Sequence, residues 1–251
     1  MKHVFSWQFR FALALSVLSV SIYALHYAIF LDARSIFFYL IMDIAFLFLN
    51  VLIVALILNR LLEHRAKQVM LNHLNMAIGT FFSEVGMDII KHCIAFDQNS
   101  DAIQEKLAHP NTWKEPDYSK IRLNIVKHES GIDSTKGDLE ALKRMLVDQR
   151  PFLLTLLQNQ NLLEHESFTD MLWATFHVTD ELAHRKTTHN LSDADYKHLS
   201  GDIKRMYQLI LVCWIDYLKH LARDYPYLYS LAIRTNPFDG EAHVELKNGP
   251  S

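Results

Sequence analysis

The sequence predicts an all-α protein: an N-terminal transmembrane helical hairpin, a long stalk helix continuing from the second span, and a cytosolic helical bundle. Three observations predict it. Two uncharged or nearly uncharged apolar runs open the chain, apolar residues later recur at helical spacing, and only 7 Gly and 6 Pro occur in 251 residues, too few for a turn-rich β fold.

Composition divides the chain. Before Arg60 the charged residues are Lys2, Arg10, Asp32, Arg34 and Asp43 alone; every other charge follows. The formal net charge is -3, which gives no basic footprint for a nucleic-acid partner. Cys93 and Cys213 lie in apolar helical stretches and read as small buried hydrophobes in a reducing compartment.

The two runs are Phe11–Leu31 and Ile36–Leu58. Each reaches the ~20 residues needed to cross ~30 Å of hydrocarbon, where the backbone must bond within its own helix. The first is longer than the apolar core of a cleaved signal peptide. Trp7 and Phe9 flank one interface, and Tyr23, Tyr27 and Tyr39 gather toward the other, as aromatic belts do. Lys2 and Arg10 precede the hairpin, and Arg60, Arg65 and Lys67 follow it. The positive-inside rule then puts both termini of this two-span anchor in the cytosol. The expected division is 1–59 hairpin, 60–96 stalk, 97–238 helical domain and 239–251 disordered tail.

Asp43 interrupts the second span. A buried carboxylate in a membrane usually faces a partner, and counting from the loop puts His26 at a similar depth. His26 and Asp43 form the expected intramembrane polar pair, read either as helix–helix glue or as a proton- or ligand-sensing site. The small pair Ala12 and Ser16 permits close helix packing.

Leu74, Ile78, Phe81, Val85 and Ile89 make one helical stripe in the stalk. Gly79 and Gly86 share a face of it and read as helix-packing positions, with a hinge as the alternative. Farther on, Ser100 is expected to cap a short helix, Pro110 to Pro116 to form a turn, and Ser119–His128 to form a helix. An apolar stripe from Leu139 to Leu157 is expected to bend at Pro151. Glu166–Lys186 follows, then a long helix capped by Ser192 that runs to about Asp224. The segment Tyr225–Phe238, with Arg234, Asn236 and Pro237, reads as a lock of the chain end onto the core, with partner docking as the sharper alternative.

The leading chemical cluster is His177, Asp180, Glu181 and His184. These lie on one helix face, and Glu181-x-x-His184 has the spacing by which bundle helices supply di-iron ligands. Imidazole and carboxylate suit zinc, iron or manganese, but a carboxylate-bridged pair needs a second Glu-x-x-His and two further glutamates, and no second such motif occurs. The leading reading is therefore a solvated face of ordinary i,i+4 pairs; the cofactor is left unassigned, with a metal as the alternative. Asp88–His92 and Asp216–His220 are further i,i+4 pairs. There is no Gly-rich phosphate loop, Gly-x-Ser-x-Gly elbow, Cys-x-x-Cys or His-Glu-x-x-His motif.

The hairpin, Gly79-Thr-Phe-Phe-Ser-Glu-Val-Gly86, the Trp173–His184 helix and the Tyr225–Phe238 ending together resemble a family of uncharacterised prokaryotic two-span membrane proteins. The resemblance spans nearly the whole chain. It implies a multi-pass protein of a prokaryotic inner membrane, with both termini cytoplasmic, and no particular activity. The function expected is a membrane-anchored scaffold or signal-relay module that binds a protein partner, as a homo-oligomer and without catalysis. The alternative is a metal-binding helical protein of di-iron or zinc type, an oxidoreductase in its sharpest form.

Overall fold

The computed structural model describes residues 2–159, 162 and 165–245. Among these the chain is helical, with an isolated bridge between Asp97 and Ile132 and no strand. It forms two compact units, Met1–Lys67 and Gln68–Ser251.

The first unit holds helix α1 (Lys2–Phe30) and the span-forming part of α2 (Ala33–Phe81). Leu31 takes a positive φ of 52° at the turn. Asp32 then starts α2: its Oδ1 accepts from the Arg34 amide at 2.9 Å. Ser16 and Ser21 donate back to the carbonyls of Ala12 and Val17 at 2.9 and 2.8 Å, which satisfies their hydroxyls inside apolar helices. The segments Phe9–Phe30 and Ala33–Arg65 are long and apolar enough to cross a membrane, and none of their most apolar stretch is buried within the protein. His26 lies against Phe30, ring centroids 4.8 Å apart. Its Nδ1 is buried without a partner, and no hydrogen bond joins it to Asp43 among the described residues.

The second unit is built around the long helix α9 (Asp193–Asp224), so central that buried side chains surround it: Ile203, Met206, Tyr207, Ile210, Leu211, Trp214 and Leu218. Ser192 caps it, its Oγ accepting from the Asp195 amide at 3.2 Å. α9 packs on α8 (Glu166–His184), α5 (Glu115–Lys127), α3 (Met87–Phe96) and α10 (Pro226–Arg234). The other side of α8 carries α6 (Leu139–Asp148) and α7 (Arg150–Leu157). α4 (Ser100–Leu107) also belongs to this unit.

The stripe Leu74, Ile78, Phe81, Val85 and Ile89 is buried in this unit, and Phe81 meets Phe168 of α8 edge to face at 6.1 Å. The chain from Leu74 to Phe96 is therefore a core element. Between α2 and α3, residues Phe82–Gly86 form one π-helical turn. Gly86 is required there: a Cβ would lie 2.7 Å from the Phe82 ring and 2.8 Å from that of Phe81. At Gly79 a Cβ would meet the Tyr217 hydroxyl at 3.1 Å. Both glycines thus serve packing within this unit.

Three local expectations are corrected. Ser100 is the first residue of α4 and caps nothing; Asp97 ends the preceding helix and accepts from the Asn99 amide at 3.0 Å. Pro116 belongs to the first turn of α5, where its missing N–H is not needed. Pro151 does not bend a continuous helix: α6 stops at Asp148 and Pro151 falls in the first turn of α7. Asp138 caps α6, accepting from the Ala141 amide at 2.8 Å.

The Tyr225–Phe238 segment does lock onto the core. Asn236 donates to the carbonyls of Leu107 and Ala108 at 2.8 and 3.0 Å and accepts from the Phe238 amide at 3.1 Å. Phe238 is buried against Trp214. Tyr229 donates to the Pro110 carbonyl at 2.7 Å. Arg234 donates to the Val244 carbonyl. From position 246 the tail expected over 239–251 lies outside the described residues. Cys93 and Cys213 are free and buried, and burial pushes the Cys213 thiol up to about 12.

Candidate metal centre

The four residues singled out on α8 line one shallow hollow of about 450 Å³ with Arg185 and Asp195. They do not converge as a set. Arg150 takes Asp180, with Nε and Nη2 3.1 and 3.0 Å from its Oδ1, and stacks over Phe176 at 5.2 Å. His184 Nδ1 lies 2.8 Å from the Asp180 carbonyl, an ordinary i,i+4 contact near the helix end.

The residues that do converge come from two helices. His177 on α8 and His198 on α9 each place Nε2 at 3.2 Å from the same oxygen, Asp202 Oδ2. Donor atoms of His177, His198 and Asp202 all lie within 4.8 Å of one another. Glu181 Oε2 stands 3.8 Å from His198 Nε2. Asp202 is 7% exposed, whereas His177 and His198 are 46% and 53% exposed, so the carboxylate is fixed in the interface and the imidazoles open to solvent.

Local sequence explains the arrangement. His177 and Glu181 are four residues apart on α8, as are His198 and Asp202 on α9, so each pair shares a helix face. The two helices pack face to face and bring both pairs together. His198 and Asp202 escape a reading confined to Glu-x-x-His within one helix; the repeated His-x-x-x-acid spacing is the signal that points to them.

Arg185 frames the site. Its guanidinium donates to Glu181 Oε2 at 2.5 Å and to Asp195 Oδ1 at 2.7 Å. The bond from Arg185 holds the Glu181 carboxyl below its usual range, and the same guanidinium does so for Asp195. Arg205 Nη1 is 3.9 Å from the outer oxygen of Asp202. Glu181 is therefore ionised but shared with Arg185, which leaves His177, His198 and Asp202 as the group that could hold a metal ion.

A first-row metal bound at ~2.0–2.1 Å in tetrahedral geometry holds its ligand atoms roughly 3.3 Å apart. The two 3.2 Å separations match an edge of such a shell. Two imidazoles and a carboxylate are also the ligand set of many zinc and non-haem iron sites. In the structure Asp202 Oδ2 accepts a hydrogen bond from His177 Nε2, with His198 Nε2 at the same distance.

The remaining pairs expected from sequence partner elsewhere. Asp88 binds Lys91 at 3.0 Å, Asp216 binds Arg122 at 3.2 Å, and His220 binds Asp224 at 2.8 Å.

Comparison with known proteins follows the same division of the chain. A family model described as the N-terminal helical domain of MJ1433 matches residues 2–62, and one described as the C-terminal helical domain of the uncharacterized protein MJ1433 matches residues 70–234. The chain belongs to the MJ1433 family. A relative from Methanocaldococcus jannaschii, the uncharacterized protein MJ1433, is 39% identical over 233 residues, covering 93% of this chain and 94% of that protein. No solved structure matches. The family boundary falls where the two compact units divide, and the His177–His198–Asp202 cluster lies inside the C-terminal family domain.

Proposed function

We propose that this MJ1433-family protein is a membrane-anchored helical module that binds a divalent first-row metal through His177, His198 and Asp202, with Glu181 as an adjacent fourth carboxylate. One observation carries the metal reading: two imidazole nitrogens from different helices stand 3.2 Å from a single buried carboxylate oxygen. Purified protein titrated with zinc, and separately with Fe(II), should take up one equivalent. His198→Ala and Asp202→Ala should abolish uptake, while Asp180→Asn and His184→Ala should retain it. If the α8 variants Asp180→Asn and His184→Ala lose the metal and the α9 variants keep it, the site is the single-helix set and this assignment fails.

The membrane reading rests on the two apolar helices of the first unit. Large side chains such as Phe37, Phe48 and Leu62 expose more than half their surface; in water this would be an aggregation-prone surface far beyond that of ordinary soluble proteins. In lipid it is solvated. The basic residues around the hairpin support cytoplasmic termini in a prokaryotic membrane. Carbonate extraction should leave the chain in the membrane pellet, and a reporter after Ser251 should be active in the cytoplasm. Release into the soluble fraction, or a reporter active only outside, excludes the anchor.

A further inference from the structure

We propose that the second unit carries a binding site for an organic ammonium ion with a short apolar tail, in the cavity between the π-helical turn and the end of α9. The cavity has a volume of about 490 Å³, within the range of small-molecule sites. Leu221 is buried beneath it, Met76 and Leu228 line its exposed rim, and the aromatic residues Tyr217 and Tyr225 line it as well. Among the described residues that line it the formally charged one is Glu84, with no Lys or Arg. An anionic head would find a repelling carboxylate there, whereas an ammonium would find a carboxylate and two aromatic rings, the surroundings that favour such a cation.

Two further features point the same way. Gly79 lines the cavity, and the lack of a Cβ lets the Tyr217 ring pack against the helix there, where a Cβ would meet its hydroxyl at 3.1 Å; the glycine thus seats one aromatic wall. The π turn Phe82–Gly86 sets Ser83 and Glu84 on the cavity wall, and such turns concentrate at functional sites. Tyr217 is held by stacking on Phe82, centroids 5.4 Å apart and rings 13° from parallel, so one aromatic wall is preset. This site shares no residue with the His177–His198–Asp202 cluster.

The test uses the full chain in lipid nanodiscs, titrated calorimetrically with hexyltrimethylammonium and with hexanesulfonate, with empty nanodiscs as the reference. The ammonium should saturate at one site per chain and the sulfonate should show only the reference signal. Glu84→Gln should weaken the ammonium by about tenfold, and Gly79→Leu should abolish its binding. Because Glu84 is exposed and has no ion-pair partner among the described residues, its variant should unfold at the wild-type temperature. His198→Ala should bind the ammonium normally, which separates this site from the metal. Equal binding of both probes, no saturable binding of the ammonium, or a Glu84→Gln variant with unchanged affinity would overturn the proposal.

Discussion

Asp202 accepts from His177 across the α8–α9 interface at 3.2 Å, and the same oxygen stands 3.2 Å from His198 one turn back along α9. A buried carboxylate facing two imidazoles joins two helices that pack along each other in the domain core. Binding there is therefore linked to the stability of that interface. A metal at 100 times its Kd adds about 2.7 kcal/mol to stability when the unfolded chain does not compete. Differential scanning calorimetry of the full chain should show its domain transition rising with zinc. Asp202→Ala should remove that rise, while Asp180→Asn should keep it.

The fold is largely legible in the sequence because its signals are periodic. Ser192 with Asp195, and the stripe from Leu199 to Leu221, mark α9 by spacing alone, and the apolar runs mark α1 and α2. The prolines are harder: Pro116 and Pro151 each begin a helix, and the same residue type equally suits a turn or a kink. The site is half legible. Two of its four groups, His177 and Glu181, stand out on one helix, but what they meet depends on the register of α8 against α9. That register is set by the packing of Phe168, Met171, Val178 and Leu182, which no local spacing encodes. Arg150 illustrates the same limit: its capture of Asp180 comes from a different helix.

Asp97 should matter more than its lack of a motif suggests. It is buried, and its Oδ1 accepts from the amides of Asn99 and Gly131 at 3.0 and 2.7 Å, tying the loop after α5 to the end of α3. Asp97→Ala strands both amides, at a cost of about 3 kcal/mol. Asp97→Asn keeps an acceptor and should lose roughly half of that. Urea unfolding midpoints at constant slope measure both.

Asn236 should control the chain end. Its side chain is buried and makes three hydrogen bonds to the backbone, two to the end of α4 and one to Phe238. Asn236→Ala should cost about 2 kcal/mol and speed amide exchange around Phe238 selectively. Exchange unchanged there, with global stability intact, would show that Phe238 and Tyr229 hold the segment alone.

His220 should make stability fall on mild acidification. Burial holds its pKa below the usual 6.5, outweighing the opposing pull of Asp224; Arg223 adds to the lowering. Asn75 lies 3.4 Å from its Nδ1, Tyr225 abuts its ring, and Glu84 lines the same cavity. The unfolded chain therefore takes up this proton first. The contribution of His220 is complete above pH 6.5 and is lost as pH falls below that value toward the folded pKa. His220→Gln should flatten the pH dependence of the unfolding free energy in that window relative to wild type.

Two glycines in helical segments should respond to alanine with opposite signs. Gly201 lies exposed on α9 with open space around its missing Cβ, so Gly201→Ala should gain up to ~1 kcal/mol from helix propensity and a less flexible unfolded chain. Gly86 closes the π turn, and a Cβ there would sit 2.7 and 2.8 Å from two buried rings, Phe82 and Phe81. Those rings are wedged in the core and cannot retreat, so Gly86→Ala should cost about 1–3 kcal/mol despite the same gain in propensity. If Gly86→Ala stabilises, the π turn is a malleable defect whose rings give way, and the glycine is not what maintains it.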